Sequence, residues 1–355
     1  MFVALRDLRF ARGRFILIGS VVALITVLVG FLSGLTGGLA TQNVSAVLSL
    51  PADRIVFSAP ADGSSASFAD SAVTADQADA WSAAPGASDV QPLGISQTRA
   101  EFGDVRAAVA LFGAAPGFDA NSPTGDGLVG VSSPAASELG VGIGDEIAIA
   151  GMSFTVESIG GDDWYSHTPV IRLTLADWQG YAAATGSPDA FATVLAVSGD
   201  PDAAPVEAAT ATVSESVPMS LMALSAFRSE IGSLLLMVAM LFGISGLVIG
   251  AFFTVWTMQR AADVAVLKAL GASTRSLVGD ALGQALIVLA AGIGLGLAIV
   301  VSLGLAVGGA LPFLLSPLTT LVPGALMIVL GLGGAAFAIR SITSADPLTA
   351  LGSNR

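Results

Sequence analysis

Residues 258–273 read "MQRAADVAVLKALGAS" and hold Lys268, the only lysine of the chain, with Arg260 and Asp263 close by. Val264, Leu267 and Lys268 fall three to four residues apart, on one face of a helix, and Gly271 supplies a stop. The stretch predicts a short amphipathic helix, suited either to a groove on a separate protein or to the surface of a membrane. Yet it is bounded on both sides by apolar runs long enough to cross a bilayer. A docking helix between two spans is the feature from which the rest of the chain is read.

A hydrocarbon core of about 30 Å takes roughly 20 apolar residues in helix. Four segments qualify, at 15–39, 229–257, 280–308 and 317–340. The last two come from a stretch with no charge between Asp280 and Arg340, broken by the three prolines of "LPFLLSPLTTLVP", with a short external loop at 309–316. Arg6, Arg9, Arg12 and Arg14 lie in segment 1–14, Arg260, Lys268 and Arg275 in segment 258–279, and Arg340 and Arg355 at or in segment 341–355. Four crossings put all of these on one side. The positive-inside rule then places both termini and the 258–279 loop in the cytoplasm, with residues 40–228 outside the cell membrane. The first apolar run is longer than a signal-peptide core, so it is read as an uncleaved span. The expected fold is a membrane protein of four transmembrane α-helices, with a large α+β extracytoplasmic domain inserted between helices 1 and 2.

Composition agrees with this. Hydrophobic residues make up 54% and charged residues 12%, against about 25% charged in soluble domains. The absence of cysteine excludes disulfides, Cys-ligated zinc and Cys nucleophiles, and the single histidine, His167, excludes a multi-histidine metal site. The net charge of −13 is unevenly spread: residues 41–226 carry four basic and 22 acidic residues, the remainder ten basic and five acidic. An acidic outer block of this kind argues against nucleic acid as a partner.

Within that block, "DRIVFSA" and "FATVLAV" read as strands. "SSPAASELG" reads as a short helix capped by Ser132 or Ser133, with Pro134 in its first turn and Gly140 at its end. "GVGIGDEIAIAGMSFTVESIGG" reads as strand, turn, strand. "TLADWQGYAAATG" reads as a second short helix, from a Thr174 cap to Gly186, and "SAPADGSSASFADS" as a surface loop. No catalytic constellation emerges. His167 sits in a "WYSHTP" surface loop, the acidic residues lack the spacing of a calcium loop, and Trp164 and Tyr165 suit packing at a domain edge or a recognition patch.

In the first span Gly30, Gly34 and Gly38 form a doubled G-x-x-x-G ridge, a helix-contact feature that serves either within the chain or between two copies. Gly246 with Gly250 and Gly292 with Gly296 repeat the spacing.

No G-x-x-x-x-G-K-[ST] is present, so the chain has no P-loop of its own. "QRAADVAVLKALGAS" resembles the loop of FtsX/MacB-type ABC transporter permeases, with Asp263 where that family usually has glutamate. "ITSADPLTALGS" resembles the family's terminal Asp-Pro-x-x-Ala-Leu motif at Asp346, Pro347, Ala350 and Leu351. "GVGIGDEIAIAGMSFTVESI" resembles a strand pair of its outer domain. The resemblance implies a permease subunit that is not itself an enzyme. It implies a homodimer in membrane lipid, served by two copies of a cytoplasmic ABC ATPase subunit that binds the ATP. The ATPase-coupling residues would be Gln259, Arg260, Asp263, Val264, Leu267 and Lys268.

Within the family, the length and the compact outer domain are most similar to the haem-exporting permeases. The resemblance thus implies haem as the transported ligand, with no covalently bound cofactor and no resident metal. Haem needs an apolar site, a cation for a propionate and an iron ligand. "MSLMALSAFRSEIGSLLLMVAM" offers Arg228 for a propionate, Met222, Met237 or Met240 as a ligand, and Glu230 either as an oxygen ligand or to fix Arg228. Glu230 and Met237 share a helix face. The same residue types also serve as core filler and interface anchors. Efflux of antimicrobial peptides or hydrophobic drugs, and an FtsX-like signalling platform, remain alternative functions.

Overall fold

The computed structural model describes residues 12–259, 266, 270–307 and 311–343. It divides into two compact units, one formed by Leu39–Gly232 and the other by Met1–Gly38 with Ser233–Arg355.

The chain opens with one long helix, α1 (Arg12–Leu48). It runs beyond residue 39, where the first span was expected to end. After Gly38 the sequence "LATQNVSAVL" contains neither glycine nor proline, and Val44, Ala46 and Val47 are buried in the core of the outer domain. Burial of this amphipathic turn extends the helix until Pro51 ends any continuation.

The outer domain then follows as β1 (Arg54–Ser58), α2 (Ala75–Ser82), β2 (Ala87–Phe102), β3 (Val105–Ala114), β4 (Leu128–Val131), α3 (Ser133–Leu139), β5 (Glu146–Ile149) and β6 (Met152–Ile159). It continues as β7 (Trp164–Tyr165), β8 (Thr168–Thr174), α4 (Leu175–Ala184), β9 (Val194–Gly199), α5 (Ala203–Thr210), β10 (Thr212–Ser216) and α6 (Val217–Ser220). The caps follow the sequence signals. Ser132 caps α3, with Pro134 in its first turn and Gly140 left-handed at its end; Thr174 caps α4, and Thr74 with Gln77 forms a capping box on α2.

The strand order is β10-β1-β9-β2-β3-β8-β4-β6-β5, and β5 also pairs with β2 at Ala100↔Ile149. Strands β2, β3, β8, β4, β6 and β5 therefore close on themselves as a small barrel. Its interior is filled by Leu111, Val129, Val131, Ile147, Ile149 and Ile171, each at most 1% exposed. The long β2 serves two sheets. Its first half pairs with β9, from Ala87↔Gly199 to Leu93↔Val194, and its second half with β3 from Gly94↔Gly113 onward. Gly94 and Gly113 face each other under the indole of Trp178, and a Cβ at either would collide with it. A side chain at these two positions is excluded by packing.

Three further long helices follow, α7 (Ser225–Gln259), α8 (Thr274–Val307) and α9 (Pro317–Thr343). With α1 they make four helices long and apolar enough to cross a membrane, and the α+β domain lies between the first and second. The glycines are contact points between these helices, as small residues are in lipid. Gly292 meets Val22, Gly296 meets Thr26, and Gly334 meets Gly250. The ridge on α1 is occupied within the chain. Gly30 faces Val300 of α8, Gly34 faces the ring of Phe313, and Gly38 faces the carbonyl of Pro312.

Candidate functional site

The lone histidine is fixed by backbone bonds. Ser166 and His167 both adopt left-handed backbone conformations, φ 50° and 64°. Their amides donate to the carbonyls of Asn43 (2.9 Å) and Gln42 (3.0 Å) on α1. Just before them, the Trp164 amide donates to Ser45 Oγ at 2.8 Å. The connection between β7 and β8 is thereby laid against the last turns of α1. Positive φ is costly outside glycine, so the two residues stay in this shape because α1 supplies the acceptors.

This placement sets His167 Nε2 3.0 Å from both carboxylate oxygens of Glu230 on α7. Asn43 Nδ2 donates to Glu230 Oε2 at 3.2 Å and lies 3.4 Å from His167 Nε2. The carboxylate accepts, so Nε2 is the donor to Glu230, and Nδ1 takes no part in the pair. Asn43 is fully buried, whereas the side chains of His167 and Glu230 are 33% and 41% exposed. Asn43 Oδ1 is buried without a hydrogen-bond partner among the described residues. The group is thus anchored on its α1 side and open on the other.

A second network braces the same loop. Asp163 takes hydrogen bonds from Ser49 Oγ of α1 (3.2 Å) and from Arg172 Nη1 of β8 (2.9 Å), and Arg172 Nε reaches Asp119 at 2.6 Å. The Arg172 side chain is only 5% exposed. Two carboxylates neutralise one buried guanidinium, which is what burial of such a charge demands.

Of the residues singled out in the sequence, only Glu230 enters this cluster. Arg228 is exposed, two residues before it on α7. Met222 lies in the 3-10 turn Leu221–Ala223 and is 44% exposed. Met237 and Met240, further along α7, are 52% and 59% exposed, so neither is core filler of this chain. Gln259 is the exposed last residue of α7. Arg260, Asp263, Val264, Leu267 and Lys268 lie outside the described residues. Sequence reasoning left His167 as a surface residue and did not connect it to Glu230; its being the only histidine of the chain was the one available signal.

Residues 229–347 match the FtsX-like permease C-terminal domain. The full length aligns with curated relatives. A protein of Staphylococcus haemolyticus named as hemin transport system permease HrtB is 23% identical, covering 99% of both chains. An uncharacterized ABC transporter permease of Mycobacterium tuberculosis is 26% identical, again covering 99% of both. Among solved structures, the periplasmic region of MacB from Actinobacillus actinomycetemcomitans is similar over 49% of this chain and 94% of that one, with a TM-score of 0.37 and 9% identity. The extracellular domain of the transporter YknZ from Gram-positive bacteria covers 44% and 87%, with a TM-score of 0.32 and 11% identity. Residues 229–347 thus carry an FtsX-like permease domain over the last three long helices, and the chain, with four helices long and apolar enough to cross a membrane, is similar over its full length to ABC transporter permeases.

Proposed function

We propose that this permease exports haem, driven by ATP hydrolysis on a separate cytoplasmic ABC ATPase, and that it works as a homodimer with both termini in the cytoplasm. The observation that carries the substrate assignment is the pairing of the only histidine with Glu230, 3.0 Å apart at the outer end of α7. A carboxylate that holds one ring N–H of a histidine fixes the orientation of the ring, the arrangement found around metal-ligating imidazoles. Arg228, exposed close by, supplies the cation for a propionate.

The naming of a full-length relative for hemin transport supports the same substrate. Support for the dimer comes from α7, whose most apolar window is 11% buried inside the chain, against 33% for each of the other three spans. A second copy is the partner that such a face suits.

Haemin titration of the detergent-purified chain, followed by its Soret band, tests this reading. A saturable, shifted band that weakens about tenfold or more in His167→Asn or Glu230→Gln, the loss of a metal ligand or its orienting partner, is the expected result. Linear, unsaturable absorbance in the wild-type chain overturns haem as substrate and leaves efflux of antimicrobial peptides or hydrophobic drugs as the better reading.

A further inference from the structure

A cavity of about 450 Å³ opens in the outer domain between α4, the middle of β2 and the residues leading into β9. This volume falls in the range of ligand pockets, roughly 300–1,000 Å³. Both tyrosines of the chain line it. Tyr165 is 6% exposed and Tyr181 8%, and neither phenol oxygen has a hydrogen-bond partner among the described residues. The rings are largely buried while the oxygens are not closed off from solvent, so both hydroxyls remain able to donate to a ligand held in the cavity they line. Not one charged side chain lines the cavity, in a block with 22 acidic residues.

The backbone around the cavity is also incomplete. On the edge of β2 away from β3, pairing with β9 stops at Leu93 and pairing with β5 begins at Ala100. At Ile95 the gap is stopped by a side chain, with the Thr193 hydroxyl accepting from the Ile95 amide (2.8 Å) and donating to its carbonyl (3.2 Å). No strand pairs with that edge at Gln97, and Ile95, Ser96 and Gln97 all line the cavity. Ser96 Oγ already accepts from Trp178 Nε1 at 3.0 Å, which leaves its own proton to donate.

An open stretch of strand edge, beside two unpaired phenol donors and without charge, has the recognition chemistry of a polypeptide backbone. We infer that this cavity binds a short, uncharged, extended peptide segment, which adds to β2 at Gln97 and places its carbonyls against the hydroxyls of Tyr165 and Tyr181. The aromatic faces take no part in stacking: Trp178 is covered by Gly94 and Gly113, and Tyr165 is packed edge-on against Phe68 and Phe112. The inference stands apart from the haem reading, since it involves neither His167 nor Glu230.

Hydrogen exchange of the full-length chain in detergent tests it, with a mixture of end-blocked tetrapeptides of Ala, Ser, Thr and Val as the probe. Protection of the β2 segment around Gln97 is expected to rise at least about fivefold at millimolar peptide, the worth of one added backbone hydrogen bond. N-methylated versions of the same peptides are expected to give none, because they cannot complete the ladder. Tyr165→Phe with Tyr181→Phe is expected to reduce the protection. Equal protection by the N-methylated peptides, or no protection by the unmodified ones, overturns the inference without any variant being needed. Protection by maltose in their place assigns the cavity to a carbohydrate and also overturns it.

Discussion

The amide of Leu314 donates to the carbonyl of Gly34 at 3.0 Å. The loop between α8 and α9 is thus bonded to the backbone of α1, and Phe313 packs its ring across Gly34 and against Phe31 at a centroid distance of 5.1 Å. Gly34→Leu and Gly38→Leu therefore act inside one chain. Each is expected to cost about 1–3 kcal/mol, the usual penalty of overpacking, read as a lower thermal midpoint in detergent. Gly333→Leu, at a position with open space beside it, serves as the control. A change of oligomeric state with an unchanged midpoint would contradict the contacts described.

Arg172 carries a different kind of stability. Arg172→Met leaves Asp119 and Asp163 close together with no cation between them. Breaking one partner out of a buried ionic network costs about 3–5 kcal/mol, and Arg172→Lys, without the planar fork, is expected to recover only part of it. Chemical unfolding of the outer domain, followed by the fluorescence of its tryptophans, measures this.

His167 and Glu230 divide the other way. Their pair is a third or more exposed, so its own contribution to stability is about 0–1 kcal/mol. His167→Asn tolerates the left-handed backbone. It is expected to leave the unfolding midpoint nearly unchanged while lowering haem affinity about tenfold or more. A midpoint loss as large as that of Arg172→Met would make the pair structural.

Burial raises the Tyr165 phenol above its ordinary value of 10.0. The neutral form is favoured in the fold, so this group contributes stability that is fully present below pH about 10 and is lost as pH rises toward the folded value. In an alkaline titration followed by phenolate absorbance, Tyr165 is expected to ionise only as the outer domain opens. Tyr165→Phe should remove that late step and shift alkaline unfolding to higher pH.

The proposed docking of residues 258–279 on an ATPase is tested by function. Val264→Asp with Leu267→Asp is expected to abolish substrate-stimulated ATPase activity of the reconstituted pair while membrane insertion is retained, since two charges on a docking face oppose its burial. Normal stimulation would remove the docking role from this segment.

Much of the architecture could be read from the sequence because its determinants are local. Apolar run length marked the four helices, and Ser132, Pro134, Gly140 and Thr174 marked two short ones. The continuation of α1 to Leu48 escaped notice because its polar turn looks like loop until the core that receives Val44 and Val47 is known. The candidate site was only half legible. Glu230 stood out as a charge at the end of an apolar run. Its partners lie 63 and 187 residues away, and meet it only because Gln42 and Asn43 hold the loop that carries His167. The cavity with the two tyrosines was invisible for the same reason: an unpaired edge exists only relative to strands that stop short of it.

The pairing of β1 with β10 has a consequence for biosynthesis. Arg54 lies opposite Ser216 and Ser58 opposite Thr212, so the first strand of the outer domain finds its neighbour only when the last has been made. Pairings this distant in sequence form slowly. During synthesis the nascent outer domain must therefore wait, translocated and incomplete, until about 160 residues have crossed, and its edges stay exposed meanwhile. The heavy negative charge of that block then acts as its own protection: mutual repulsion keeps unfinished copies from pairing with one another before each can close.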